Sequence, residues 1–504
     1  MLASHPAGPS EYTLASFNQI APRLPKRPST MQLFPAPEET LTGTAQAIRD
    51  GKMTCTDVLK RCLAKIKEWE PRVQAWVKVD EKGALIEAKI LDKEAKRGEF
   101  RGPLHGIPIG IKDIIDVAGF PSGCGSARMS QGYPAETDAY VVRKLRRAGA
   151  IILGKTVTTA YAYFDPPVTR NPWNLEHTPG GSSSGSAAAV ATGMCLGAVG
   201  TQTGGSIVRP AAFCGIVGYK PPRKAINRSG VFPFAPSLDH VGPLARTVAD
   251  AATLFNCMTG SDKRLTDIES LTEISPFPPR LAVLSTDFLA HAEPEMRTAW
   301  TNGLQQLRNA GAEIVEITWP GFDLEEIWRR HRVLMAVEIA ADHQSRLAEF
   351  PDDYPPHVAE LIAEGLSIPA AEYLRCRRHQ SQLRRSILEW QLSLSDGGYD
   401  DDLGPGADGI GLEAGGTILC PAAPGPAPSH KTTGNPRMNS PWSYLGLAAL
   451  TVPLTLAWNG LPLGLQLVSA SYTEEDMIQE AVWCENVFRQ AQVKPTTKGR
   501  KRKT

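Results

Sequence analysis

The segment Thr178–Gly218, TPGGSSSGSAAAVATGMCLGAVGTQTGGSIVRPAAFCGIVG, constrains this chain more than any other. It carries two Gly-Gly-Ser turns, Gly180-Gly181-Ser182 and Gly204-Gly205-Ser206, whose serines lie 24 residues apart. The residues between them predict a small-residue helix over Ser186–Gly193 and a strand over Leu196–Thr201, enough chain to return on itself. Glycine permits positive φ and close backbone approach, so a serine behind two glycines can stand where bulkier backbone would block a substrate. Successive N–H groups in such a turn can converge into an anion-binding nest. Either turn alone reads as a flexible Gly/Ser loop. The second differs because it follows strand-like residues and is closed by Ile207, Val208 and Pro210, which hold it by core at both ends.

Around this segment short apolar strands alternate with helices. Strands are predicted over Pro108–Ile111, Ala150–Leu153, Leu281–Leu284, Glu313–Ile317 and Leu463–Val468. Helices are predicted over Ala45–Trp69 in two parts, with Thr56 as the cap of the second, and over Ala84–Lys96, Asp138–Ala148, Glu295–Ala310 and Glu474–Arg489. The alternation indicates a layered α/β protein with a mostly parallel or mixed sheet. Leu324–Phe350 and Ala370–Ser393 read as long amphipathic helices without strands between them, a helical subregion at about 324–394. The Pro-rich residues 1–43 read as an N-terminal arm, the Gly/Asp-rich run 396–416 as a mobile loop, and 491–504 as a basic disordered tail; the body is 44–490. Asp400–Asp402 lacks the EF-hand pattern and reads as solvated loop.

The 504 residues, 42% hydrophobic and 21% charged, describe a globular chain. Lys+Arg 54 against Asp+Glu 53 leaves a net charge of +1, which argues against a general nucleic-acid binder; the run Lys498–Lys503 is a local exception. The most apolar window, Tyr444–Trp458, is broken by Pro453 and falls short of the ~20 residues a spanning helix needs, so no membrane association is expected. The N-terminus lacks the form of a secretory signal, and nine scattered cysteines without a CxxC read as reduced thiols, together indicating a cytoplasmic protein. With no HExxH and no Cys/His cluster of zinc spacing, no metal centre is expected.

A serine nucleophile needs a base. GSSSG, Gly181–Gly185, matches the GxSxG nucleophile elbow by letters and would make Ser183 the nucleophile, but that motif needs a strand before it, and NPWNLEHTP is loop-like. The SxxK pattern does not occur. The remaining candidate is Lys112 in GIPIGIKDIIDVAG, set among Ile109, Ile111, Ile114 and Ile115. Beside Asp113 it could equally be an ordinary surface ion pair. If buried, its charged form is disfavoured. At an unperturbed pKa of ~10.4 fewer than about one lysine in a thousand is neutral at pH 7, and lowering the pKa to ~7 costs about 4–5 kcal/mol.

These segments together resemble the amidase signature family of serine hydrolases. GGSSSGSAAAVATG and GTQTGGSIVRPAAFCGIVGYKP are close to the signature; GIPIGIKDIIDVAGFPSGCGS resembles the family's lysine strand; SLDHVGPLARTVADAATLF, LCPAAPGPAP and GLPLGLQLV resemble its later blocks. The resemblance runs in order from about residue 44 to about 490. It implies a single large α/β/α domain around a twisted mixed sheet. It also implies Lys112 as catalytic lysine, Ser182 as bridging serine behind a cis peptide bond, Ser206 as nucleophile, and the backbone N–H groups of Thr203, Gly204, Gly205 and Ser206 as oxyanion hole. The chain departs from the family pattern at Ser184, Gln202 and Ala160, and its arginine, Arg209, lies one position later, with Val208 in the usual place.

The implied reaction is hydrolysis of a small-molecule carboxamide through an acyl-enzyme, without a cofactor. A carbamate or ester hydrolase would use the same residues, and the glutaminase subunit of a tRNA-dependent amidotransferase shares the signature. A homodimer is left open. Tyr161, Tyr163 and Phe164 are candidates for the pocket wall, although aromatic core is the reading the sequence favours.

Overall fold

The computed structural model describes residues 31–259, 273–284, 287–317, 321–395, 417–469 and 474–492. The loop expected over 396–416, most of the N-terminal arm and nearly all of the basic tail lie outside the described residues.

Among the described residues one mixed sheet of eleven strands is formed. Its strands are β1 (Trp76–Val79), β2 (Pro108–Lys112), β3 (Ile151–Thr156), β4 (Gly197–Gln202), β5 (Val217–Lys220), β6 (His240–Ala245), β7 (Arg280–Leu284), β8 (Glu313–Ile317), β9 (Thr417–Pro421), β10 (Ala449–Leu456) and β11 (Pro462–Ser469). Their spatial order is β1-β3-β2-β4-β6-β5-β10-β11-β9-β7-β8. The parallel pairs are β2 with β3 and with β4, and β7 with β8 and with β9; the remaining pairs are antiparallel. Every residue of β2, β3 and β4 is buried, because helices cover both faces there; each strand begins apolar and ends on polar residues, Lys112, Lys155-Thr156 and Thr201-Gln202. The fold is the single α/β domain with a mixed sheet and flanking helices that the sequence implies.

The alternation located β2, β3, β4, β7, β8 and β11 to within a few residues. It missed β1, β5, β6, β9 and β10. In β6 the Gly242-Pro243 dipeptide looks like a turn, yet Pro243 sits opposite Val199 inside the ladder. In β10 Pro453 adjoins a register shift, which absorbs its missing N–H. The helix Cys55–Val73 is capped by Thr54, whose hydroxyl accepts from Asp57 N at 3.0 Å, not by Thr56, which lies inside the helix and donates to Asp92.

The helix Ser184–Ala191 is buried on every side, as its small residues require. Gly185 is indispensable there: a Cβ would stand 2.2 Å from Ala75 O and 2.4 Å from Val157 N. The helical subregion comprises Leu324–Glu349 and Ala370–Ser395, with a further helix, Pro356–Ser367, between them.

Candidate active site

β2 ends at Lys112, β4 delivers Thr201 to the neighbouring strand position, and the chain beyond β4 makes the second Gly-Gly-Ser turn. The parallel pairing of β2 with β4 therefore sets the lysine beside Thr201, just ahead of the second turn, while Ser182 of the first turn stands just before the helix Ser184–Ala191. Lys112 is fully buried, and its Nζ donates to Ser182 Oγ at 2.7 Å and to Thr201 Oγ1 at 2.8 Å. Burial holds its pKa well below the usual lysine value, against weaker upward pulls from Asp239 and Cys124. Asp113 is not its partner: that carboxylate faces Lys155 Nζ at 3.0 Å, both groups being buried. The two adjacent residues point to opposite sides of the strand, as pleating requires.

The Gly181–Ser182 peptide bond is cis. The first turn is tied down on all sides. Thr159 N donates to Ser182 O at 3.3 Å, Arg209 Nη2 to Gly181 O at 2.8 Å, and Ser184 Oγ to Gly180 O at 2.8 Å. The last bond gives Ser184, a departure from the family pattern, a structural task. Ser183 is turned away from the cleft, bonding Thr201 O and N through its hydroxyl. That placement, with no strand before it, removes the nucleophile-elbow reading.

The second turn, Thr203–Ser206, forms one floor of a cleft of about 310 Å³. Ser183 N donates to Ser206 O at 3.3 Å, joining the two turns through their backbones. Among the described residues Ser206 Oγ has no hydrogen bond to Ser182 Oγ, and the N–H groups of Thr203, Gly204, Gly205 and Ser206 donate to no protein acceptor. Four N–H groups in succession, free at the edge of a cleft, can stabilise an oxyanion.

Residues outside the signature set that turn. Thr203 Oγ1 donates to Asp239 Oδ1 at 2.5 Å, and Asp239 also accepts from Phe234 N and Ala235 N. Burial pushes the His331 pKa down to about 4, so the neutral ring donates from Nε2 to Thr203 O at 3.0 Å. Ser443 Oγ donates to Gly204 O at 3.0 Å. Gln202, another departure, accepts from Ile207 N and Val208 N at 2.9 and 3.0 Å through Oε1 and donates through Nε2 to Ser443 Oγ at 3.1 Å. An aspartate could accept those two N–H groups but could not donate to Ser443.

Tyr163 and Phe164 line the cleft together with Trp328, His331, Arg332 and Met335 of the helix Leu324–Glu349; the expectation of aromatic core holds for Tyr161 and for the buried Tyr163, which serves both core and cleft, while Phe164 is only partly buried. Tyr161 stacks on Tyr354 with ring centroids 4.4 Å apart, and its hydroxyl donates to Asp353. Tyr161 and Ala162 have φ of 48° and 63°, a conformation costing on the order of 1–3 kcal/mol per residue that the Tyr161 anchor holds in place. Among the described residues no group of His, Cys, Asp or Glu could hold a metal ion.

A family model described as Amidase matches residues 57–478. The chain belongs to the amidase signature family. Members act on amide carbon–nitrogen bonds, and this chain is an enzyme of that class. The glutamyl-tRNA(Gln) amidotransferase subunit of Roseiflexus sp. (strain RS-1) is 33% identical over 482 residues, covering 87% of this chain and 94% of the relative. The protein of the same name from Cereibacter sphaeroides is 33% identical over 487 residues, covering 88% and 96%. Among solved structures, the peptide amidase of Stenotrophomonas maltophilia superposes with a TM-score of 0.73 at 28% identity, covering 89% of this chain and 97% of that one. A structure described as a vestigial protein complex bearing on the origins of an s-triazine catabolic enzyme gives 0.78 at 27% identity, covering 90% and 98%. No helix among the described residues is long and apolar enough to cross a membrane.

Proposed function

We propose that this amidase-family enzyme hydrolyses a small-molecule carboxamide through an acyl-enzyme on Ser206, with Ser182 and Lys112 as its proton relay. The observation that carries the reading is the fully buried Lys112 amine, 2.7 Å from Ser182 Oγ and, among the described residues, without a carboxylate partner. A neutral amine has two N–H donors, enough for Ser182 Oγ and Thr201 Oγ1, and a lone pair that can take the Ser182 proton once that hydroxyl rotates toward it. Ser182 in turn takes the proton of Ser206 as that hydroxyl attacks the carbonyl. Charge then collects on the carbonyl oxygen, where the free N–H groups of residues 203–206 receive it; one such donor typically lowers the barrier by about 3–4 kcal/mol. The relay returns the proton to the leaving nitrogen, which cannot depart as an anion. Water then hydrolyses the ester by the same path. Carbamates and esters fit this machinery as well.

A hydrolysis screen over alkyl, aryl and peptide amides, carbamates and esters tests the assignment. Wild type is expected to turn over at least one amide, and Ser206→Ala to lose it by about 10³-fold or more; undiminished turnover by folded Ser206→Ala would contradict it.

The names of the relatives support a second reading, the glutaminase subunit of a tRNA-dependent amidotransferase. That reading predicts release of ammonia from glutamine and stable co-purification with partner subunits; an enzyme active alone on other amides and inert to glutamine excludes it.

A further inference from the structure

One cation in the cleft is built into the wall and left partly unsatisfied. Arg209 lies one helical turn beyond Ser206, its backbone N–H donating to Gly205 O at 2.9 Å, and it is 2% exposed. Nε donates to Thr433 O and Nη2 to Gly181 O, each at 2.8 Å, and the guanidinium carbon lies 5.4 Å from the centroid of the Phe164 ring. These contacts fix the fork rigidly. Nη1 is buried and has no hydrogen-bond partner among the described residues. No carboxylate faces the group among the described residues, and burial alone pulls its pKa down to about 9, leaving it a cation at neutral pH.

The other cations at the cleft are already engaged. Arg332 grips Glu364 at 3.0 and 2.6 Å. Arg437 sits 4.5 Å over the Trp328 ring and reaches His291 Nδ1 at 3.4 Å. Among the described residues no aspartate or glutamate lines the cleft. A buried guanidinium nitrogen without an acceptor is costly, and a planar fork held at its other nitrogens is suited to a carboxylate.

We propose that Arg209 is the specificity residue of this cleft and that its free Nη1 receives a carboxylate, or an oxyanion of similar size, carried by the substrate close to the scissile amide. The substrate class is then short anionic amides in preference to neutral ones. This rests on Ser206 being the reacting residue, since Arg209 is placed relative to it. The local competitor for Nη1 is Asn439 Oδ1, itself unpaired. The two atoms lie 3.0 and 2.6 Å from the point where a Cβ on Gly205 would stand, and they are not hydrogen-bonded to one another.

The test compares succinamate, glutaramate and adipamate with butanamide, pentanamide and hexanamide as substrates of the wild-type enzyme and of Arg209→Met. For at least one acid, wild-type kcat/KM is expected to exceed that for its neutral partner by about tenfold or more, and the ratio to fall toward unity in Arg209→Met. Calorimetric titration of wild type with succinate, glutarate and adipate reads the anion site without any turnover. Saturable binding of one of them, weakened by added salt and lost in Arg209→Met, is the expected result. It would be obtained even if Ser206 proved not to be the nucleophile, so the two failures are separable. Should Arg209→Met not fold, the wild-type titration and substrate ratios decide. Equal use of acids and neutral amides with no dicarboxylate binding, or a preference unchanged in folded Arg209→Met, would overturn the proposal.

Discussion

Replacing Lys112 by alanine will lower amide turnover by at least about 10³-fold, and ester turnover by distinctly less, because an alkoxide leaves with less help from a proton than an amine does. Lys112→Arg will not restore it, since arginine stays protonated at any working pH. Lys112→Met, which fills the same apolar slot, will be equally inactive yet fold with a stability within about 2 kcal/mol of wild type. The lysine offers no ion pair to lose: its neighbour Asp113 is paired with Lys155. The pH dependence follows from the direction of the shift. The native-state pKa lies well below the usual lysine value. Between that pKa and ~10.4 the unfolded chain carries a proton that the native chain does not. Native stability therefore rises with pH through this window on account of Lys112, and the contribution disappears in Lys112→Met. Amide turnover will rise with pH through the same depressed pKa, because only the neutral amine can start the relay. Near-wild-type amide turnover in folded Lys112→Ala would sink the assignment.

Gly205→Ala is the second large effect. A Cβ at this position would meet Asn439 Oδ1 at 2.6 Å and Arg209 Nη1 at 3.0 Å. Both side chains are held, Asn439 by Ala422 O and Gln466 Oε1 and Arg209 by Thr433 O and Gly181 O. The turn must therefore shift, and with it the N–H groups at the cleft. Loss of one well-aimed donor costs about 10²–10³-fold in kcat, and that is the expected loss. Gly204→Ala will cost much less, since its Cβ would meet His331 Cε1 at 3.6 Å and Pro436 Cβ at 3.8 Å, ordinary contacts. Comparison of kcat for the two variants on one amide checks this; equal losses would show that the turn is not held against Asn439 and Arg209 as described.

Much of the site was legible because its chemistry is concentrated in continuous strings. Lys112, Ser182 and Ser206 stand in strings that each admit a plainer reading alone and that together resemble the family's blocks, and the strands that carry Lys112 and Thr201 begin as short apolar runs. The residues that hold the second turn were not legible. His331 and Ser443 reach Thr203 and Gly204 across sequence separations of 128 and 239 residues. His331 is one polar residue in a long amphipathic helix, with nothing local to distinguish it. Asp239 stood in a string already compared with the family, SLDHVGPLA, but its role depends on β6, which Gly242-Pro243 disguised as a turn. The cap misplaced at Thr56 has a local cause instead. Thr54 and Thr56 are both plausible caps locally, and only the Asp57 carboxylate, which accepts from Thr54 N and Oγ1, distinguishes them. Arg209, read only as an arginine one place late, became informative once its burial and its unpaired nitrogen were visible together.

The central claim is that Ser206 carries the acyl group. Its most direct test is mass spectrometry of the enzyme after reaction with a serine-directed phosphonate or carbamate, with digestion to locate the added mass. The account predicts stoichiometric labelling of the peptide containing Ser206 at the Ser206 hydroxyl, abolished in Ser206→Ala and strongly slowed in Lys112→Ala. Labelling at Ser183, or labelling that persists in Ser206→Ala, would contradict it.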